Sequence, residues 1–559
     1  MSEETIQRPM KLKQQIVAPG TELLIQQENL ATNNYQHVFH GDLRILLVPQ
    51  PSLNDPNDPL LWSRLKKWIS FGNGLFYAFN GAVTGPMMAG GMIQLATFFK
   101  RSLSDITYSN GATLICQGLG TLFWMPLAVK FGRRPVYLAS NILMGIACVW
   151  LAIASEKDFP LFVVARAFLG LVEAPIEAIV PSTVTDIFYL HERGEKVALY
   201  GLSVLGGNEI GPLASAYIIQ TLSMRWAFFI VAMSVGISVV TMFFLMPETI
   251  FTGHRPRITP VRAEETNEIN EHENKLSYDH IEGINALTTA PVEETSEIAI
   301  KRSYKEELFR VSINREVSLW QVFKRPFILM AYPTVLWSSL VYGMSLSWNV
   351  ILGCLVAQLF AAPPNAFDVQ RPYLFNSGSQ GLVFLSPFIG SLVGTYLCGP
   401  LADRIATYFT ARNNGVREPE MRLPTCIIAA FLTFIGALIS GLTYHYNTHW
   451  AGPIIGFGVL STGAQMGATL AISYTLDCHK ELSAEIMVTI SCLKSGVAWI
   501  WTWCINDWVT SSGLLTVFMC VATINVGVYL TTFIFHLYGK KIRIWLKIRN
   551  LMSEELVTE

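Results

Sequence analysis

The stretch MPLAVKFGRRPV, Met125–Val136, joins two long apolar runs, and GPLADRIATYF, Gly399–Phe409, joins two others much later in the chain. Pro126, Leu127 and Ala128 line up with Pro400, Leu401 and Ala402, and Lys130 lines up with Arg404. A similar basic turn at the same place in two apolar sets is the mark of an internal duplication. Working outward from the two turns, the apolar runs predict helices over 68–90, 108–129, 135–154, 159–181, 197–220 and 226–246. After one polar gap they resume over 326–359, 380–401, 423–444, 451–475, 485–509 and 513–537. A bilayer needs about 20 apolar residues per helix, so twelve crossings use roughly 240 residues of the chain.

The composition agrees. Of 559 residues, 51% are hydrophobic and 14% charged, where a soluble chain carries about 25% charged residues. Mean hydropathy is +0.38. A soluble multidomain enzyme, a disordered chain and a disulfide scaffold all fit poorly. The formal net charge of -1 gives no reason to expect a nucleic-acid partner. The nine cysteines are scattered, mostly inside apolar runs, with no C-x-x-C pair, which suits buried free thiols. No H-E-x-x-H, His cluster or G-x-x-x-x-G-K-[ST] is present, so the expectation is a non-enzyme without metal or cofactor. MSEETIQRPM at the start has no apolar core, so no cleaved leader is expected.

These readings divide the chain into a polar tail (1–67), a six-helix bundle (68–250), a flexible tether (251–325), a second six-helix bundle (326–538) and a short tail (539–559). The acidic, aromatic-poor run 264–297 cannot bury enough surface to order itself, whereas 303–317 can form a short surface helix. Even-numbered loops and the flanks beside the membrane hold eighteen basic residues. They are Arg64, Lys66, Lys67, Lys130, Arg133, Arg134, Arg193, Lys196, Arg404, Arg412, Arg417, Arg422, Lys480, Lys540, Lys541, Arg543, Lys547 and Arg549. The odd loops hold five: Lys100, Arg101, Lys157, Arg225 and Arg371. The positive-inside rule then puts both termini and the tether in the cytosol.

Polar groups inside the apolar runs mark candidate sites. In RAFLGLVEAPIEA, Arg166, Gly170, Glu173 and Glu177 are offset by 4, 7 and 11 residues, a narrow stripe on one helix face. A lone ion in hydrocarbon costs at least about 2.5–3.5 kcal/mol, so this stripe must meet water or partners. Its functional reading is a proton relay or cation site; the alternative is that Arg166 only snorkels or bonds helix ends. Pro175 frees a backbone carbonyl and bends the helix between the carboxylates. Lys494 lies deep in predicted helix 11 and calls for a carboxylate such as Glu173 or Glu177. Asn73, Tyr77 and Asn80 share one face of predicted helix 1, where cavity lining and interhelical bonding are both open. Trp499 and Trp503, with Trp501 and Trp508 nearby, form an interfacial belt or a cavity wall.

The turn at 125–136 resembles the loop signature G-x-L-A-D-[RK]-x-G-R-[RK] of the major facilitator superfamily, in its fungal twelve-helix drug:proton antiporter type. Lys130, Gly132, Arg133 and Arg134 fit it, while Met125 and Val129 replace the signature's first Gly and its Asp. The second copy keeps both, as Gly399 and Asp403, followed by Arg404. The resemblance implies an all-α membrane fold of 12 transmembrane helices in two six-helix halves, with these residues latching the closed cytosolic side. Arg166 and Gly170 match the family's helix-4 R-x-x-x-G, whose arginine the resemblance ties to proton coupling. Gly207, Gly211 and Pro212 match its antiporter motif, although Ser215 and Ala216 replace the terminal glycine pair; Glu209 sits inside that motif. The segments DPLLW (58–62), DIFYLHERG (186–194), MPET (246–249) and YTLDCHKELSAE (474–485) resemble the fungal branch with metabolite efflux pumps and polyamine or organic-cation carriers.

Together these imply a proton-coupled secondary carrier, acting as a monomer, that exports a toxic metabolite or drug-like molecule. Import of polyamines or other organic cations by proton symport is the second reading. Its partners are a small-molecule substrate, protons and the lipid bilayer. The expected location is the cell membrane, with the vacuolar membrane as the alternative.

Overall fold

The computed structural model describes residues 22–23, 37–40, 43–46, 49–52, 55–251, 253, 255, 301–309, 313, 318–361, 373–413, 416–479 and 482–549. Most of the predicted tether, including 264–297, therefore lies outside the described residues. Twelve long helices dominate what is described. The first six are α1 (Arg64–Thr84), α2 (Leu103–Phe131), α3 (Arg133–Ala154), α4 (Phe159–Glu173, resumed as Ile176–Ile187), α5 (Leu190–Thr221) and α6 (Met224–Leu245). The second six are α7 (Pro333–Phe360), α8 (Ser377–Leu382, then Leu385–Tyr396 and on to Arg412), α9 (Thr425–His445), α10 (Ala451–Cys478), α11 (Ser483–Ser512) and α12 (Leu514–Arg549). Both α1 begins and α12 ends on one face of the molecule, the terminal face; the opposite one is the distal face.

Among the described residues, ten spans are long and apolar enough to cross a membrane by length and composition alone. The two helices that fall short, α1 and α5, are long enough but more polar, and they pack along each other. Ser203 Oγ of α5 donates to the Leu75 carbonyl of α1, and Ser215 Oγ donates to that of Met87. A Cβ on Gly207 would lie 2.5 Å from Ala82 Cβ and 2.6 Å from the Phe79 carbonyl oxygen. Close approach of backbones through small residues is how helices associate where water gives no hydrophobic drive.

One core cluster draws its buried side chains from α1 to α6, among them Tyr77, Met144, Leu169 and Phe228, with only Ala357 from beyond. Two others are built mainly from α7 to α12, around Trp348, Phe457 and Phe518, and around Trp337, Tyr474 and Tyr529. The two sets meet along α2 with α11 and α5 with α8. At the distal end of these seams Asn506 Nδ2 donates to Thr107, Ser104 and Tyr108 bond Asp507, and Gly378 N–H donates to Gln220 Oε1 at 2.8 Å.

Several helix ends differ from the expectation. α1 stops at Thr84 because Pro86 cannot continue it, and the chain goes on as a 3-10 turn, Pro86–Gly91, and a short helix, Met92–Phe99. α12 runs on to Arg549, through the predicted tail, because Arg543 is fully buried against Glu420. Its Nε and Nη2 donate to the two carboxylate oxygens at 2.9 and 2.7 Å. Parts of the predicted tether are ordered against the bundle. Tyr304–Phe309 is a one-turn-and-a-half helix, and Leu319–Leu329 an amphipathic one lying on α2 and α11.

Candidate functional site

The site grows from the interruption in α4. Pro175 has no N–H to give the carbonyl of Leu171, and Trp124 Nε1 of α2 donates to that oxygen instead, at 2.9 Å. The helix stops at Glu173 and restarts at Ile176. The predicted stripe is thereby split. Arg166 and Glu173 both turn to the end of α1, while Glu177 reaches the other half of the molecule.

A helix end leaves carbonyls without intrahelical partners, and Arg166 takes those of α1. Its Nη1 donates to Thr84 O at 2.9 Å, and its Nη2 donates to Gly85 O at 3.0 Å and to Asn110 Oδ1 of α2 at 2.7 Å. Thr84 Oγ1 in turn donates to Glu173 Oε2. Arg166 is wholly buried and Glu173 nearly so. The pattern is that of an arginine bonding a helix end, with a carboxylate one hydroxyl away.

Glu177 and Lys494 form an ion pair across the two halves, Nζ to Oε2 at 2.7 Å. Lys494 is 1% exposed. Its Nζ also donates to the Tyr342 hydroxyl of α7 at 3.1 Å. Side chains from α4, α7 and α11 thus converge on one buried point. Of the two carboxylates the sequence offered Lys494, the geometry brings Glu177. Tyr342 carried no signal of its own in an apolar run rich in aromatics.

On the terminal face the basic turn is locked. Gly132 has φ +97°, and a Cβ there would meet Glu248 Oε2 at 2.4 Å; glycine alone accepts both. Glu248, from the MPET segment, accepts from the backbone N–H of Arg133 and Arg134 at 3.0 and 3.1 Å. Arg133 pairs with Asp186 of α4 at 2.6 Å. Arg134 Nη2 donates to Phe243 O at 2.7 Å, and Lys130 lies in the last turn of α2. Val129 therefore does not leave Arg133 without a carboxylate. A cavity of about 190 Å³ lies behind this network, lined by Met125, Val129, Arg133, Ser182, Asp186 and Arg255 among others.

The second copy is built differently. Gly399 lies in a π turn, Leu397–Leu401, and Arg404 is exposed; the Asp403 side chain lies outside the described residues. The equivalent ion pair is made by Arg422, ahead of α9, with Asp477 near the end of α10, at 3.0 Å. That repeats Arg133, ahead of α3, with Asp186 near the end of α4. The turns repeat in the sequence, whereas the partners Asp186 and Asp477 lie in the segments 186–194 and 474–485, which carry only a family likeness.

Other predicted residues stand apart from the Glu177 point. Asn80 is buried and accepts from Ser234 Oγ of α6 at 2.7 Å; Tyr77 bonds Ser140 of α3. That face of α1 packs inside the first half rather than lining a path between halves. Gly207 and Gly211 set the α1–α5 contact, and Pro212 lies inside α5. Trp503 is half exposed and stacks on Tyr108 of α2 with centroids 4.7 Å apart, while Trp501 is buried. Among the described residues no group of three His, Cys, Asp or Glu is placed to hold a metal.

Two six-helix sets, meeting along two seams with an ion pair buried between them, define a polytopic membrane carrier rather than an enzyme. The chain belongs to the Major Facilitator Superfamily, whose family profile matches residues 70–502. It is 26% identical to an uncharacterised MFS-type transporter of Schizosaccharomyces pombe, over 96% of each chain. It is also 26% identical to the efflux pump radE of Floropilus chiversii, over 79% of this chain and 74% of that one. Among solved structures, a POT family transporter in complex with 5-aminolevulinic acid shares the fold with TM-score 0.53. That match is 12% identical and covers 84% of this chain and 96% of the other.

Proposed function

We propose that this transporter is a proton-coupled secondary carrier that exports a small organic molecule across the plasma membrane, acting as a monomer with its terminal face in the cytosol. The observation that carries the reading is the Glu177–Lys494 pair. It joins the halves at a buried point, so the halves cannot rock apart there without breaking it. Removing one partner of a buried pair costs on the order of 3–5 kcal/mol, because the other charge is left uncompensated. A proton delivered to Glu177, or a charged group of the substrate, replaces that partner and lowers the cost of separation. Binding and opening are then linked through differential affinity for the two states.

Arg166 and Glu173 support the same reading from the α1 end, where a threonine joins them and a change of charge on Glu173 alters what holds that end. The Arg133–Asp186 and Arg422–Asp477 pairs each brace the terminal face within one half. Export is supported by the relative whose name records efflux and by the antiporter-like Gly207, Gly211 and Pro212. The second reading, import of polyamines or other organic cations by proton symport, is favoured by the carboxylates at Glu173 and Glu177. Glu177→Gln is expected to abolish protonophore-sensitive flux while the protein still reaches the membrane. Unchanged proton-dependent flux in that variant removes the coupling assignment.

A further inference from the structure

Glu209, in the middle of α5, is 4% exposed and makes no ion pair or hydrogen bond among the described residues. Other carboxylates of the helices have side-chain partners: the buried Glu173 accepts from the Thr84 hydroxyl, and the partly exposed Glu177 and Asp186 pair with Lys494 and Arg133. The position of Glu209 explains why this one matters. Residues seven apart on a helix share a face and lie about 10 Å apart along the axis. Ala216, seven residues toward the distal face, is fully buried, and Gly381 of α8 sits close enough that a Cβ there would lie 2.6 Å from its Cβ. Leu202, seven residues toward the terminal face, is 36% exposed. One stripe of α5, the stripe that meets α8 across the two halves, thus runs from closed to open, and Glu209 stands at the change.

Among the described residues, nothing charged faces it from the neighbouring elements. α8 carries no ionisable group but Tyr396 and Cys398 from Ser377 to Leu401, and the turn Pro86–Gly91 carries none. The charged residues of α1 lie at its terminal end, Arg64 to Lys67, and its Tyr77 bonds Ser140. α6 offers only Arg225 at its distal end, paired with Glu156, and the ionisable groups of α4 have partners elsewhere: Arg166 on the end of α1, Glu173 on Thr84, Glu177 on Lys494 and Asp186 on Arg133. On α5 itself Tyr200 donates to the Ile176 carbonyl, Tyr217 is exposed near the distal end, and Glu192, Arg193 and Lys196 lie at the terminal end. An ionised carboxylate without a counter-charge is not tolerated in such surroundings.

We propose that Glu209 is a proton-carrying site of the transport cycle, separate from Glu177. It holds a proton on a carboxylate oxygen while the α5–α8 seam is closed on its distal side, and gives that proton to water when the seam opens around it. The proposal rests on the proton-coupled reading above and adds the group that carries the proton.

The test is infrared spectroscopy of the purified full-length protein in lipid nanodiscs, following the C=O stretch of a protonated carboxyl group while pH is raised. The wild type is expected to show such a band near neutral pH. Glu209→Gln is expected to remove one component of that band, a component that Glu173→Gln and Glu177→Gln both keep. An unchanged band in folded Glu209→Gln, or no band in the wild type, overturns the proposal. Should Glu209→Gln fail to fold, Glu209→Asp keeps the acid on a shorter arm and must shift the band; an unshifted band overturns it equally. Protonophore sensitivity of wild-type flux is scored separately. Insensitive flux with the Glu209 band present refutes proton coupling, and sensitive flux without the band refutes only Glu209.

Discussion

Lys494 illustrates what a single buried charge demands. It has one carboxylate, Glu177, and one hydroxyl, Tyr342, within bonding reach, and is itself 1% exposed. Lys494→Met should therefore destabilise the protein by about 3–5 kcal/mol, since Glu177 loses its counter-charge. The double variant Lys494→Met with Glu177→Met should recover most of that loss, in a thermal-unfolding cycle in detergent. If the single substitution costs no more than an exposed lysine does, the pair is not buried as described. His479, just past α10, gives a pH prediction. Burial, and then the nearby Arg543 charge, push its imidazole from 6.5 down to about 4, and its Nε2 lies 2.9 Å from Thr334 Oγ1. The native state keeps it neutral, whereas the unfolded chain takes up a proton below 6.5. Stability should fall as pH drops from 6.5 toward 4, and His479→Gln should flatten that part of the thermal midpoint against pH. An unchanged slope would show that His479 is not the group responsible.

α1 and α5 are the pair in which chemistry and packing meet. They are less apolar than the other ten helices, yet the apolar runs over 68–90 and 197–220 predict both, and Gly207 and Gly211 at i, i+4 mark the small-residue stripe of α5. Gly207→Val should push the helices apart, with Ala82 and the Phe79 carbonyl in the way, at a cost of roughly 1–3 kcal/mol and a lower unfolding temperature. No loss relative to a lipid-facing substitution in α5 would contradict the close approach. The legible part of α4 was its break: Pro175 had to free the Leu171 carbonyl. What could not be read was where that carbonyl would find a donor, or that the break would aim Glu173 and Glu177 at different partners. A 3.6-residue period predicts a shared face only while the helix is continuous. For the same reason the face of Asn73, Tyr77 and Asn80 was legible, but not its direction, since period alone does not say which neighbour a face meets.

Over the whole molecule, the two halves are joined by more than a connecting segment. Arg255, where the chain leaves the first bundle, pairs with Asp58 at 2.6 Å, and Arg302 N–H, where it returns, donates to Asn57 at 2.9 Å. Both ends of 256–301 are therefore fastened to adjacent residues, so replacing 257–300 by a short Gly/Ser linker should leave expression and flux intact. Loss of the folded protein on that deletion would show that the segment is structural. Beyond it, Lys66–Glu307 at 2.7 Å ties the strap to the first half and Arg325–Glu485 at 3.1 Å ties it to the second. Single-sequence reading placed this strap within a tether, because its apolar residues are few and spaced along one face of short helices. The duplicated turns were visible as quoted; the Arg–Asp pairs that give them a shared architecture needed α3 with α4, and α9 with α10, side by side. The direction and coupling of flux are read from accumulation of a fluorescent drug and of labelled spermidine. Cells with and without the protein are compared, with and without a protonophore. Lowered drug with unchanged spermidine is expected, and the protonophore should abolish the difference. Raised spermidine, or a lowered drug level indifferent to the protonophore, would contradict proton-coupled export.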